Sequence, residues 1–331
     1  MDRETELGLV RRAYAKEIVA TSGIPDARVE TAFAEVRRED FLDPGPWLVI
    51  GERGDYFPTP SADPAYLYLD HAVGILTERH LNNGQPSLHA KLLAHAGPRE
   101  GDHVAHVGAG TGYYTAIMAH LVWRSGKVTA IELDPDFANR ARVNLSSYPN
   151  VSVICGNGAA VPVDAADVIY VNAGATRPAE TWLDGLAEGG RLILPLMTNK
   201  GFTDNTPSVP IERRGAASGS SAGHPSFWRG GFLPVAIFPC EGARDPLSEA
   251  AMAEAFAKGG WKEVTGLCRG DDAPEDRCWL RARMVSDARI AAEFADIGGP
   301  GAGSAAGITS VNVDRWLQSA GRSAWHARIR P

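Results

Sequence analysis

The chain has 331 residues, of which 44% are hydrophobic and 22% are charged. This composition is typical of a globular protein with room for one large domain or for a core domain and a smaller one. A formal net charge of −7 with a pI near 5.7 argues against a nucleic-acid-binding protein, and no apolar run reaches the length of a membrane span.

The first residues and the cysteines set expectations for the compartment and for metals. The sequence opens Met-Asp-Arg-Glu-Thr-Glu, which is not a secretion signal. The four cysteines lack the spacing of metal ligands and are interpreted as reduced thiols; they are Cys155, Cys240, Cys268 and Cys278. We therefore expect a cytoplasmic protein with no metal site, and with neither nucleic acid nor a membrane as a partner.

Residues 1–80 are predicted to form a helical region followed by a connection. One helix is expected from Leu7 to Ala20, and a second one follows the turn at Ser22–Pro25. The apolar stripes expected on them contain Leu9, Val10, Tyr14 and Ile18, and then Val29, Phe33 and Val36. Residues 43–64 are rich in Pro, Gly and Asp and are predicted to be irregular. The two helices are expected to flank the core.

A glycine-rich turn organises the rest of the chain. His103–Val107 has the pattern of a short buried strand, and the residues from Tyr113 onward have helical spacing. Glycine allows a tight turn and a close approach of the backbone to a ligand, and the turn between these elements holds Gly108, Gly110 and Gly112. A strand, a glycine turn and a helix N-terminus place free N–H groups around one cavity.

Strands continue to alternate with helices after this turn. The later strands are expected at Lys127–Ile131, Val151–Cys155, Asp167–Val171 and Arg191–Leu196. This rhythm predicts an α/β fold with a doubly wound, Rossmann-like parallel sheet. We assign the sheet to residues 81–240, with helices on its amino-terminal side and a carboxyl-terminal α/β extension.

Glu132 ends the second of these strands, 24 residues after Gly108 (132 − 108). A carboxylate at that point can hold ribose hydroxyls. A dinucleotide fingerprint would have its third glycine at Tyr113, which disfavours a nucleotide dehydrogenase. Turns after strands three and four complete a predicted site for an adenosine-bearing cofactor. The predicted cofactor-binding residues are Gly108, Ala109, Gly110, Gly112, Glu132, Leu133, Gly156, Asn157, Gly158 and Asn172.

Residues 241–331 are predicted to form a mixed α/β extension that packs on the core near the substrate entrance. Just before it, residues 212–224 are expected to be a loop and Phe232–Phe238 a late strand. The elements expected within the extension are a helix at Leu247–Lys258, a strand at Arg277–Arg281, a Gly-rich linker at 298–307 and a short helix around Trp316.

These motifs resemble class I S-adenosyl-L-methionine-dependent methyltransferases, and within them the protein-L-isoaspartate O-methyltransferases. The likeness runs from about Val10 to Leu196. It rests on Arg28–Phe41, which ends in the pattern V-x-R-E-x-F, on the cofactor loop Val107–Tyr113, and on the fifth strand at Gly190–Pro195. The resemblance implies S-adenosyl-L-methionine as the cofactor and a carboxylate in a peptide or protein as the methyl acceptor.

The chain departs from this family in the loop before the cofactor strand. The family has I-S-Q-P or I-S-A-P there, and its serine helps hold the substrate carboxylate, whereas this chain has Gly84 in that place. We expect Asn83, Gln85 and Ser87 to supply the hydrogen bonds instead. A serine at position 84 is expected to raise activity toward an isoaspartyl peptide. The alternative is that these side chains only cap a turn.

A carboxylate acceptor is ionised at neutral pH, so the transfer needs no general base and depends on positioning. We therefore interpret His71, His80 and His89 as packed or surface residues, although a hydroxyl or amine acceptor would require one of them as a base. The sequence predicts an O-methyltransferase acting on a peptide or protein carboxylate. The alternatives are a methyltransferase with a different peptide or small-molecule acceptor, and a non-catalytic module that binds S-adenosyl-L-methionine.

Overall fold

The protein is described by a computed structural model of residues 2–51, 55–79, 81–198, 240 and 242–258, with the backbone of further strands up to residue 329. In the part of the chain so described, the helices are α1 (Arg3–Ser22), α2 (Ala27–Glu35), α3 (Pro86–Ala96), α4 (Tyr113–Leu121), α5 (Pro135–Asn144), α6 (Glu180–Gly185) and α7 (Pro246–Lys258).

The strands fall into two small amino-terminal hairpins and one large sheet. The hairpins consist of β1 (Leu48–Ile50) with β2 (Tyr56–Pro58), and β3 (Gly74–Leu76) with β4 (Leu81–Asn82). The first part of the large sheet consists of β5 (His103–Val107), β6 (Lys127–Glu132), β7 (Val151–Cys155), β8 (Ala166–Val171) and β9 (Leu186–Pro195). Its second part consists of β10 (Pro207–Arg214), β11 (Ser226–Trp228), β12 (Leu233–Pro234), β13 (Val264–Arg269), β14 (Cys278–Arg283) and β15 (Ala324–Ile329).

The first part of the large sheet is parallel, in the order β7-β6-β5-β8-β9. Successive crossovers run outward from β5 in both directions, which is the doubly wound arrangement. The prediction of a Rossmann-like parallel sheet is therefore confirmed. Beyond β9 the same sheet continues with antiparallel pairs through β10, β11, β13, β15 and β14, while β12 pairs with β10.

The amino-terminal helices cover one face of the parallel sheet. Helices α1 to α5 bury side chains in one apolar cluster, with Ile18 and Phe33 fully buried within it. The expected stripe of α2 is confirmed, because Val29, Phe33 and Val36 are all buried. The expected stripe of α1 was wrong at Leu9, which is exposed, since the buried face holds Leu7 one turn before Arg11 and two turns before Tyr14.

Short polar residues and glycines fix where these helices begin and end. The carboxylate of Asp26 accepts hydrogen bonds from the backbone N–H groups of Arg28 and Val29 and so caps α2. Asp134 caps α5 in the same way, and Pro135 follows it at the first helical position. Gly97 ends α3 in the left-handed conformation.

Helix α7 packs on the opposite face of the sheet, in a second apolar cluster with α6. Its Met252 is fully buried, and the hydroxyls of Thr176 and Ser248 lie 2.6 Å apart. Arg177 Nε donates to Asp245 Oδ2 over 2.8 Å. Together with β13, β14 and β15, this helix confirms the predicted carboxyl-terminal α/β extension. The predicted boundaries at residues 80 and 240 stay a prediction.

Two predicted irregular regions contain strands. Residues 43–64 include the β1–β2 hairpin, and residues 212–214 belong to β10 rather than to a loop. Strands β1 and β2 have only three residues each, which is too short for a periodic signal in the sequence. The rest of the predicted loop, the linker at 298–307 and the helix around Trp316 lie outside the described residues. No helix of the described residues has the length and apolar character needed to cross a membrane.

Candidate active site

A cavity of about 620 Å³ opens at the carboxyl-terminal ends of β5, β6 and β8. The winding direction of the sheet changes between β5 and β8, and open α/β sheets bind ligands at such a switch point. The opposite wall comes from the amino-terminal region, where Ile75, Leu81 and Asn83 line the cavity. A volume in this range suits a small-molecule ligand or cofactor.

The glycine turn after β5 forms the floor of this cavity. Gly108 and Gly110 have φ angles of 78° and 56°, in the left-handed region that favours glycine. A Cβ at position 108 would lie 2.9 Å from the carbonyl oxygen of Asn172, so the turn packs directly on the chain after β8. At position 110 the nearest atom to such a Cβ would be Ile75 Cδ1 at 3.9 Å. The backbone of Gly108, Ala109 and Gly110 therefore borders open space that a ligand can enter.

Two of the predicted cofactor-binding glycines lie behind the cavity wall, where they shape turns. Gly112 precedes α4 with a φ of 99°, and a Cβ on it would lie 2.8 Å from Leu145 Cδ1. Gly156 donates its N–H to the carbonyl oxygen of Glu132 over 2.9 Å. Among the described residues, neither glycine lies in the cavity wall. Both shape the turns whose neighbouring residues do line it.

Glu132 connects the end of β6 to the glycine turn. Its Oε2 accepts a hydrogen bond from Gly110 N at 2.7 Å, and its Oε1 accepts one from Asp134 N at 3.0 Å. A carboxylate has about four acceptor positions, so two remain for the hydroxyls of a ligand. Glu132 is buried and lines the cavity beside the exposed Leu133. This geometry suits the predicted role of both residues.

The turn after β7 and the residue after β8 complete the same wall. Asn157, Gly158 and Asn172 all line the cavity. The Oδ1 of Asn157 already accepts a hydrogen bond from Ala159 N at 2.9 Å, so the side chain also stabilises its own turn. The carbonyl oxygen of Gly158 accepts a hydrogen bond from Trp182 Nε1 at 2.8 Å, which holds the turn against α6.

The three predicted acceptor-holding residues are not brought together. Asn83 lines the cavity, whereas Gln85 and Ser87 do not belong to the described cavity wall. The carboxylate of Asp70 accepts hydrogen bonds from Gln85 Nε2 at 2.9 Å and from Ser87 N at 2.8 Å. An internal carboxylate therefore occupies the donors at the start of α3 that we expected a substrate to use. The roles predicted for Gln85 and Ser87 stay predictions, which this arrangement does not support.

Gly84 cannot be replaced by serine without a rearrangement. Its φ angle is 77°, and a Cβ built on it would overlap Nε2 of His89. The carbonyl oxygen of Gly84 accepts a hydrogen bond from Tyr114 Oη at 3.2 Å, and Tyr114 stacks on the His89 ring with a centroid separation of 3.6 Å. The expectation that a serine at this position raises activity stays a prediction, and this geometry argues against it.

The histidines near the cavity are packed groups. Burial, with the neighbouring His106 and Arg38, holds the pKa of His89 well below its usual value, and its Nδ1 lies 2.8 Å from Tyr170 Oη. Burial lowers the pKa of His106 to about 3, and its Nδ1 lies 2.9 Å from Thr115 Oγ1. His89 is thus a core residue, as expected. His80 lies outside the described residues.

Sequence reasoning missed two residues on the acceptor side of the cavity. Arg38 is fully buried, and its guanidinium donates to the carbonyl oxygens of Leu67 and His71, each at 2.6 Å, and to the side chain of Asn83 at 3.2 Å. The second residue is Asp70, whose carboxylate accepts the hydrogen bonds from Gln85 and Ser87 at the start of α3. Arg38 lies in the V-x-R-E-x-F pattern, but nothing in its local sequence indicates that it reaches across to position 83.

A further missed contact crosses the cavity mouth. Arg79 Nη1 donates to Asp134 Oδ2 over 2.9 Å, and both residues line the cavity. This ion pair links the amino-terminal hairpin region to the loop after β6. Because Arg79 is 60% exposed, the pair contributes little to stability. The Arg79–Asp134 ion pair therefore connects the two walls of the cavity at its rim.

The residues present fit S-adenosyl-L-methionine. The glycine turn leaves room for close approach of the amino acid part, Glu132 offers acceptors for ribose hydroxyls, and the turn at Asn157 and Gly158 borders the third side. These three features follow three consecutive parallel strands, which is the order in which such a cofactor is held in doubly wound sheets. The carboxylate of Glu132 and the amide of Asn157 thus line the cavity where the ribose and adenine of the cofactor are expected.

Comparison with known proteins agrees with this geometry. Residues 48–206 match the family model described as protein-L-isoaspartate(D-aspartate) O-methyltransferase. Among curated relatives, the protein-L-isoaspartate O-methyltransferase of Thermotoga maritima is 32% identical over 185 residues, which cover 54% of this chain and 53% of the relative. That of Methanopyrus kandleri is 33% identical over 171 residues, covering 49% of this chain and 74% of the relative.

A solved structure supports the same assignment. A protein-L-isoaspartate O-methyltransferase superposes with a TM-score of 0.56 and 26% identity, over 70% of this chain and 66% of the other. The chain spans about half the length of the Thermotoga maritima relative. The motifs, the parallel sheet and these matches all point to the same family. The chain therefore belongs to the protein-L-isoaspartate O-methyltransferase family.

Proposed function

We propose that this protein is an S-adenosyl-L-methionine-dependent O-methyltransferase that methylates a carboxylate in a peptide or protein. The observation that carries this proposal is the arrangement around the glycine turn. Gly108, Ala109 and Gly110 border a cavity whose next wall is Glu132, and the Glu132 carboxylate holds the turn through Gly110 N. Membership in the family supports the same reaction class.

The roles of the residues divide between the two sides of the cavity. Glu132 binds the ribose hydroxyls, and Asn157 with Gly158 borders the adenine. Gly110 borders the amino acid part of the cofactor, since a Cβ there would project into open space, whereas Gly108 lets the turn pack on the carbonyl oxygen of Asn172. The tyrosines and the amino-terminal hairpins close the acceptor side and limit the access of water.

The reaction requires positioning rather than acid–base catalysis. A bound S-adenosyl-L-methionine supplies a methyl group on a positively charged sulfur. A carboxylate oxygen of the acceptor forms the new O–CH₃ bond as the S–CH₃ bond breaks, and the bonding pair stays on the sulfur, which becomes neutral. The acceptor is already ionised near pH 7, so no proton has to be removed. Holding the two groups in line supplies most of the rate.

The acceptor side favours a dedicated peptide substrate over general isoaspartyl repair. The family's serine is absent, and the left-handed backbone at Gly84 and the His89 ring disfavour a side chain there. The donors at the start of α3 are occupied by Asp70. An acceptor carboxylate must therefore be held differently from the way the family motif implies. Methylation of an aspartate in such a substrate also makes that residue prone to close to a succinimide.

Two measurements on the full chain test the proposal. Isothermal titration calorimetry should show binding of S-adenosyl-L-methionine or of its demethylated product, and no comparable binding of NAD. Incubation with S-adenosyl-L-methionine labelled on the methyl group, an isoaspartyl peptide and a proteome digest should then transfer the label. The transferred label should be released at alkaline pH, as expected for a methyl ester.

The outcomes separate the competing functions. Tight binding of NAD without binding of S-adenosyl-L-methionine would overturn the cofactor assignment. Cofactor binding without transfer to any fraction of the digest would favour a non-catalytic module. Label that stays attached at alkaline pH would indicate an amine acceptor and would bring the buried histidines back as candidate bases.

A further inference from the structure

If the proposed function is right, an acceptor carboxylate must be held in the cavity by hydrogen-bond donors. The loop before β5 lacks the family's serine, and Asp70 occupies Gln85 Nε2 and Ser87 N. The remaining predicted donor in the cavity wall is Asn83. Its side chain is 7% exposed, so its polar atoms must be satisfied inside the protein or by a ligand.

The orientation of the Asn83 amide is fixed by its neighbours. Its Oδ1 accepts one hydrogen bond from Val73 N at 2.8 Å and another from Arg38 Nη2 at 3.2 Å. Both partners can only donate, so the oxygen has to face them. The amide nitrogen is therefore turned the other way. In the described part of the protein, Asn83 Nδ2 is buried and has no hydrogen-bond partner.

A buried amide nitrogen without a partner is costly. Leaving such a donor unsatisfied costs about 1–3 kcal/mol, and native proteins rarely keep one without a reason. Here the donor belongs to a residue that lines the cavity where the acceptor must enter. A ligand that accepts hydrogen bonds would remove this cost on binding.

The positive charge of Arg38, next to Asn83, favours an anionic ligand. Arg38 is fully buried, and its guanidinium contacts carbonyl oxygens and Asn83 rather than a carboxylate. Among the described residues, no carboxylate lies within ion-pair distance of it. Because guanidinium stays protonated, the acceptor wall contains a positive charge in a low-dielectric region. Arg38 also polarises the amide through Oδ1, which strengthens Nδ2 as a donor to an anion.

We propose that Asn83 Nδ2 donates a hydrogen bond to the acceptor carboxylate and that Arg38 is the positioning residue that aims this amide and supplies the attracting charge. The pair takes the place of the serine that is absent at Gly84. The acceptor class that follows is an anionic carboxylate, and an uncharged carboxamide of the same shape is a poor ligand.

The Asn83→Asp variant provides the sharpest test. The side chain keeps its size, and one oxygen still accepts from Val73 and Arg38, so the fold should be retained. The other oxygen replaces the donor with a negative charge that repels a carboxylate. Two probe peptides are compared, one with an isoaspartyl residue and one with isoasparagine in its place. Calorimetry measures the affinity of each for protein saturated with the demethylated cofactor.

The parent protein should bind the carboxylate peptide ten- to a hundredfold more tightly than the carboxamide peptide. In Asn83→Asp this ratio should fall to about one or below, with the affinity for S-adenosyl-L-methionine within twofold of the parent. Asn139→Asp makes the same chemical change at an exposed position on α5 and should leave both affinities unchanged. Arg38→Lys should also lower the ratio, whereas a purely structural role of Arg38 would lower only the melting temperature.

Three results would overturn the inference while leaving the cofactor assignment intact. The first is a parent protein that binds the cofactor but does not distinguish the two peptides. The second is an Asn83→Asp variant that keeps the parent ratio. The third is a variant that loses cofactor affinity together with the ratio, because this would make Asn83 part of the cofactor site. Failure of the parent to bind S-adenosyl-L-methionine would count instead against the proposed function.

Discussion

The two sides of the cavity are built in different ways. The cofactor side consists of short contiguous segments that follow parallel strands, namely the glycine turn after β5, Glu132 at the end of β6 and the turn at Asn157. The acceptor side is assembled from residues far apart in sequence, such as Arg38, Asp70 and Asn83. The first side keeps the family's glycine loop, whereas the second departs from the family pattern at Gly84. We infer that cofactor and acceptor recognition can change independently on one scaffold.

Replacement of Arg38, on the acceptor side, should have the largest effect on the free energy of unfolding. Arg38→Met leaves the buried carbonyl oxygens of Leu67 and His71 without their donor, so we expect the free energy of unfolding to fall by about 3–5 kcal/mol. Urea denaturation followed by circular dichroism measures this loss. Arg37→Met changes the neighbouring, partly exposed arginine and should cost less than about 1 kcal/mol. Equal losses for the two variants would mean that the acceptor side does not depend on Arg38.

A serine at position 84 tests whether the acceptor side can return to the family pattern. Gly84→Ser should lower the free energy of unfolding by about 2–4 kcal/mol, because it combines a left-handed backbone with an overlap on His89. It should not increase methylation of an isoaspartyl peptide. In a His89→Ala background the same change should cost only about 1–2 kcal/mol, since the overlap is removed. A double-mutant cycle measures the coupling, and its absence would show that His89 is not the obstacle.

Glu132 tests the cofactor side. Glu132→Ala removes the acceptors for the ribose and also the partner of Gly110 N. We expect the affinity for S-adenosyl-L-methionine to weaken by about 1.5–3 kcal/mol, with the ratio of carboxylate to carboxamide peptide affinities unchanged. Calorimetry on both ligands checks this separation. Asp136→Ala, at an exposed position in the first turn of α5, is the control. A parallel loss of peptide discrimination would show that the two sides are coupled.

His106 lies in β5, just before the glycine turn, and its burial should make the free energy of unfolding depend on pH. Its pKa is lowered to about 3 by burial, so the unfolded chain binds a proton before the folded protein does. Burying His106 in its neutral form costs no stability above pH 6.5. As the pH falls from 6.5 toward 3, protonation of the unfolded chain progressively lowers the free energy of unfolding. Within that window His106→Gln should reduce the slope of unfolding free energy against pH by about 1.4 kcal/mol per pH unit. Denaturation curves at several pH values measure the slope. Identical slopes in parent and variant would contradict a neutral, buried His106.

The sequence by itself determined the sheet and most of the cofactor side. Alternating strands and helices predicted the doubly wound order, and G-x-G-x-G with Glu132 predicted where the cavity lies. These features are readable because the backbone of a strand–turn–helix unit is set by its own residues, and parallel strands bring consecutive turns to one edge. The glycines at 112 and 156 were placed correctly in turns, but their contact with the cavity depended on neighbouring packing.

Only the tertiary structure decided the acceptor side. Asn83, Gln85 and Ser87 look equivalent as donors in the sequence, but Asp70 binds two of these positions and leaves Asn83 in the cavity wall. Arg38 reaches Asn83 across a chain separation of 45 residues. Contacts of this kind depend on how α2, the hairpins and α3 pack together, because no local periodicity or turn chemistry links their positions. The chain order therefore predicts which groups are available, and packing decides which of them remain free to bind a substrate.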